Sequence, residues 1–159
     1  MDDDVMARVT AAVHRGQAGE RADARHELDA IWAEVGRGGG DDFHRCVIAH
    51  FLADLQEDER DELMWDERAL AAVHCVTDER AQEFHASLRV RGLMPSLYVS
   101  LADDHRRLGD ADLAQEFLGK ARATSDALGD DAYGALVRGA LDEVGRALAE
   151  GSTERLPSH

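Results

Sequence analysis

The chain has 159 residues, 44% of them hydrophobic and 5% aromatic, with two prolines. That length fits one domain and buries a core without covalent staples. The formal charge of −15 repels nucleic-acid backbones and anionic membrane surfaces, so both are disfavoured as partners.

With few aromatics, the core must be built mainly from Ala, Leu and Val, which suits closely packed helices better than a β-sandwich. The first residues, Met1 to Asp4, are acidic and lack the apolar region of a secretory signal. No apolar run is long enough to span a bilayer. Cys46 and Cys75 are too few for a disulfide framework. The expectation is a cytoplasmic protein with reduced thiols.

Taken in order, 3–17 carries Val5, Met6, Val9, Ala12 and Val13 at helical spacing, and Gly16 and Gly19 close it. Segment 20–35 repeats that spacing with Ala24, Leu28, Ile31, Trp32 and Val35, before Gly36 and Gly38 to Gly40 break the chain. Asp41 or Asp42 caps a third helix over 42–56, striped by Phe43, Val47, Phe51 and Leu55. The acidic stretch Glu57 to Glu62 holds a turn and opens a fourth helix, where negative charge suits the helix dipole. Thr77 reads as a cap for a helix over 78–91, separate or part of a longer kinked one. Gly92 ends it, and Pro95 sits in the first turn of the next helix, 95–108. Asp110 caps a helix holding Leu113, Ala114, Phe117, Leu118 and Ala121. A final helix, about 130–149, precedes a tail, 151–159, with little to bury and expected to be flexible. This gives seven or eight helices in a single domain, 1–150, in which short turns make consecutive helices antiparallel neighbours.

Leu101-Ala102, Leu108-Gly109-Asp110, Ala114, Leu118 and Ala121 follow the order and spacing of a tetratricopeptide unit. Gly19, Ala24, Leu28 and Ile31 form a fainter copy, as do Ile48, Ala49, Trp65, Ala69 and Leu70. The departures are His105 in an aromatic slot, Asp126 where a proline often closes the unit, and Asp66 in a packing position. Segment 78–94 fits no unit. On these residues the chain resembles the small stand-alone tetratricopeptide proteins of bacteria. The resemblance implies an all-α, antiparallel helix-pair solenoid with the last helix as a cap. It also implies a concave face lined by the first helix of each pair, showing Phe43, Cys46, His50, Ala53 and Asp54, then Ser96, Val99, Asp103, Arg106 and Arg107. His50 and Asp103 stand where the family's carboxylate clamp has Asn, which argues against that clamp.

Cys46, His50 and Asp54 are each four residues apart and so stack on one helical face. Such a set suits a transition metal or an oriented thiol, although one helix seldom supplies a whole site. His105 reads as a core or interhelix histidine, with an acid–base group formed beside Asp103 and Asp104 as the alternative. Asp66, if buried, needs a cationic partner such as Arg91, Arg106 or Arg107. No phosphate loop, nucleophile elbow, dinucleotide fingerprint, paired-cysteine zinc pattern or calcium loop occurs in the sequence.

The sequence therefore leads to an expectation of a non-enzymatic protein-interaction module with no cofactor or metal. A partner protein or peptide would meet Phe43, His50, Asp54, Asp103, Arg106 and Arg107. The alternative is a small-molecule or metal site, with or without catalysis, on the Cys46/His50/Asp54 face. A third reading is self-association to a homodimer through 78–94.

Overall fold

The computed structural model describes residues 3–85 and 88–157. Positions 86–87 of the expected fifth helix and 158–159 of the expected tail lie outside the described residues.

The described residues form eight α-helices and no strand: α1 Asp4–Gln17, α2 Arg21–Glu34, α3 Asp42–Asp54, α4 Glu59–Val73, α5 Asp78–Phe84, α6 Val90–Arg107, α7 Ala111–Thr124 and α8 Ala132–Ala149. No helix is long and apolar enough to cross a membrane among these residues. The chain divides after Leu88 into two compact units.

Asp residues cap most of the helices. Asp3, Asp41, Asp58, Asp110 and Asp131 each accept from backbone N–H groups that the first turn would otherwise leave unsatisfied. Thr77 does the same for α5. Much of the chain's negative charge therefore sits at helix starts, where it complements the dipole.

In the first unit, α1 packs on α2 and α3 on α4; α3 also touches α1 and α2. Leu28, Ile31, Ile48, Ala49, Leu52 and Ala69 are fully buried. Met6, Phe43 and Ala81 form a cluster joined by Val47, Val76 and Leu88, which brings α5 onto α1 and α3. The glycine-rich break is a π-helical segment, Val35–Gly39, kinked at Gly38, whose φ is 93°.

In the second unit, α6 packs on α7, and α8 packs against both. Its core holds Val99, Ala102, Leu118, Ala121, Leu141 and Val144, with Tyr98, Phe117, Leu148 and Leu156 at the margin. The helix α6 begins five residues before Pro95, so Gly92 and Pro95 both lie inside it. Pro95, the sixth residue of α6, cannot bond to the Arg91 carbonyl four residues back and its ring crowds that carbonyl, yet the helix continues to Arg107.

The pairs α1/α2 and α6/α7 share a design. Gly19 (φ 99°) and Gly109 (φ 84°) take the left-handed conformation that ends the first helix. Gly19 N–H donates to the Gly16 carbonyl and Glu20 N–H to that of Arg15. Gly109 N–H donates to the Arg106 carbonyl and Asp110 N–H to that of His105. Around those turns, Val9 matches Val99, Ala12 matches Ala102, Ala24 matches Ala114 and Leu28 matches Leu118, at one constant offset. All eight residues are buried. The helix α8 ends in the same turn: Gly151 (φ 73°) donates to Leu148 and Ser152 to Ala147.

Candidate functional site

Of the six residues expected to meet a partner, Phe43, His50 and Asp54 lie in the first unit on α3. Asp103, Arg106 and Arg107 lie in the second on the last turn and a half of α6.

Phe43 is 1% exposed. The guanidinium of Arg80 on α5 stands 4.8 Å from its ring centre, and Phe84 lies 5.9 Å away. Part of the segment that matched no repeat unit thus covers this end of α3. Arg80 also joins a polar cluster that sequence reasoning missed. It donates to Asp41 Oδ2 and, from Nη2 at 2.9 Å, to Asp3 Oδ2.

His44 completes that cluster. Its Nδ1 accepts from the Asp41 backbone N–H at 3.0 Å, which leaves Nε2–H to donate to Asp3 Oδ1 at 2.9 Å. Asp41 and His44 form a reciprocal capping box in which histidine replaces the usual Glu or Gln. Burial pushes the Asp3 and Asp41 carboxyls up, but the backbone N–H groups of Met6 and His44 and the Arg80 guanidinium outweigh it. Both sit below the ordinary value of 3.8. Burial opposes the charge on Arg80, yet its two carboxylate partners hold its pKa above the usual value. One guanidinium thereby ties the caps of α1 and α3 to α5. The available signal was an Asp one residue before each of α1 and α3 and an Arg at the third position of α5.

Cys46, His50 and Asp54 share a face of α3 but not an environment. Cys46 is buried, and that burial alone pushes its thiol up to about 12, far from a reactive thiolate. His50 is half-buried beside Phe51, and Asp54 is exposed. Among the described residues these three do not bring their ligand atoms within 4.8 Å of one another.

In the second unit, Arg106 is 2% exposed. Its Nε and Nη2 donate to Asp103 Oδ1 at 3.0 and 2.7 Å. Its outer N–H groups are given to main chain: Nη1 to the Ser152 carbonyl at 2.7 Å and Nη2 to that of Glu154 at 2.8 Å. Arg107 Nη1 lies 3.8 Å from the other Asp103 oxygen. Arg106, expected to face a partner's peptide, is thus already engaged with a peptide segment of its own chain. Sequence could place Asp103 and Arg106 three apart on one face, but nothing in it marked Ser152 and Glu154 as acceptors.

His105 stacks on Phe117, 5.4 Å between centres and 4° from parallel, with Tyr98 beside it and Lys120 over the Phe117 ring at 5.0 Å. It packs as an aromatic ring against Phe117. Asp66 is buried, and Cys75 is exposed just beyond α4.

In comparison with known proteins, the chain matches no family model, no curated protein and no solved structure.

Proposed function

We propose that this chain is a protein-interaction module, not an enzyme, built from tetratricopeptide-like helix pairs and binding a segment of a partner protein on the first helix of a pair. The observation that carries the reading is the recurrence in both units of one helix pair, with the same buried Val, Ala, Ala and Leu spacing and the same left-handed glycine turn. A repeated pair spends its sequence on presenting equivalent helix faces, and such faces serve peptide recognition. The polar groups near those faces support binding better than catalysis: Arg106 is directed at carbonyl oxygens, and the one buried thiol is held neutral.

The test is selection of a displayed random-peptide library on the immobilised full chain, followed by fluorescence polarisation with the enriched peptides. The reading expects saturable binding that a His50→Ala/Asp54→Ala change in the first unit, or Arg106→Lys in the second, weakens at least tenfold, about 1.4 kcal/mol. Failure to enrich any peptide that binds saturably would remove it.

A further inference from the structure

The strongest unassigned feature is the destination of the Arg106 guanidinium. A buried arginine commonly ends on carboxylates, because its charge is costly to desolvate without a counter-ion. Arg106 has that counter-ion in Asp103, which takes Nε and one Nη2 proton along one edge. The other edge donates to two backbone carbonyls two residues apart, Ser152 and Glu154. Two residues further on, Leu156 packs against the α6–α7–α8 core. Thr153, Glu154 and Arg155 have exposed side chains.

Arg106 meets the segment through main-chain carbonyls, and Leu156 supplies its apolar contact with the core. Those two contacts read backbone geometry and an apolar anchor, and another chain offering two carbonyls and a leucine-like residue at the same spacing can make them too. The segment also follows α8 at the turn that in α1/α2 and α6/α7 leads into a second helix. Ser152 stands where Glu20 and Asp110 begin those helices, and no helix follows among the described residues. The second unit thus uses non-helical chain at a place where its own pattern would put a packed helix.

We infer that Asp103 and Arg106 form a main-chain clamp for a non-helical peptide, with the Leu156 seat as its apolar anchor point, and that residues 152–156 occupy this clamp as an internal competitor of the partner segment. This rests on the interaction-module reading and specifies its ligand: a non-helical protein segment with a leucine-type side chain two residues after the second clamped carbonyl. An incoming segment must displace the internal one, because vacated guanidinium N–H groups in a buried site need acceptors. Apparent affinity is then reduced by the fraction of molecules whose clamp is closed, and releasing the internal segment raises it by the same factor.

The probe is a fluorescein-labelled, end-capped peptide with the sequence of residues 151–157, Gly-Ser-Thr-Glu-Arg-Leu-Pro, read by polarisation against the full chain. Leu156→Asp opens the clamp at an exposed-edge position, and circular dichroism checks that the helices persist. Expected is saturable binding to Leu156→Asp at least tenfold tighter than to wild type, and loss of binding when the peptide's own leucine is replaced by Asp. That second measurement leaves the protein unchanged. Arg106→Lys added to Leu156→Asp keeps the positive charge but loses the fork, and should abolish the gain. Equal binding to wild type and Leu156→Asp, no binding to either, or indifference to the peptide's leucine overturns the clamp. If library-selected peptides still bind the wild type in that event, the module reading stands and only the clamp falls. If they fail as well, both fall.

Discussion

Cys46 and Cys75 are the same functional group in opposite settings. Cys46 is buried in the α3 stripe with its thiol pushed up to about 12, whereas Cys75 is exposed. Thiolate is the reactive form, so iodoacetamide at mildly alkaline pH should modify Cys75 and leave Cys46 intact until the chain is denatured; peptide mass mapping reads this directly. Rapid labelling of Cys46 in the folded chain would contradict its placement. The Asp3–Asp41–Arg80 cluster makes a second residue-level prediction. Both carboxyls are held below 3.8 in the folded chain, so the stability they add is present above that value and is lost as pH falls through their folded values. Melting temperature should therefore decline on acidification more steeply in the wild type than in Arg80→Met, which starts lower at neutral pH. Parallel pH profiles for the two would show that Arg80 does not set those carboxyls. Sequence reading could name Thr77, Asp41 and Asp110 as caps, because capping depends on residues three apart. It could not bring Arg80 to Asp3, because that contact depends on how α5 returns over α1 and α3.

Helices and turns were the part most legible in the sequence, since period and punctuation are local properties. The expected spans 3–17 and 20–35 fall within a residue of α1 and α2, and Asp110 caps α7 as expected. The exceptions are α5, expected over 78–91 but ending at Phe84 where His85 turns extended, and α6, where Gly92 and Pro95 read as a break yet lie inside one helix. Proline forbids one hydrogen bond, and near a helix start that single loss does not outweigh a continuous packed face. Glycines test this level well. Gly109 sits at φ 84° in the turn between α6 and α7, so Gly109→Ala should destabilise by roughly 1 kcal/mol. Gly119 lies on the exposed face of α7, and an added Cβ meets nothing within 4 Å. Gly119→Ala should instead stabilise by about 0.5–1 kcal/mol. Urea denaturation of both variants decides the point, and the same sign for both would contradict the assigned turn.

For the molecule as a whole, composition was a sound guide to class: the described residues form helices and no strand, and no helix among them is long and apolar enough to cross a membrane. The candidate site was only half legible. Asp103 and Arg106 were singled out through the tetratricopeptide resemblance, but the chain that Arg106 meets is non-helical and more than forty residues later, and periodicity carries no information about such a contact. Phe43, expected as open apolar area, is covered by Arg80 and Phe84 of a segment whose pattern matched no repeat unit. Binding of partner segments on the first helices of the pairs is read out by amide hydrogen–deuterium exchange of the full chain, with and without the best library-selected peptide. Added protection is expected only in α3 or in α6, with deprotection of residues 152–156 if α6 is the site. Protection confined to α2, α4 or α7, or none at saturating peptide, would contradict it.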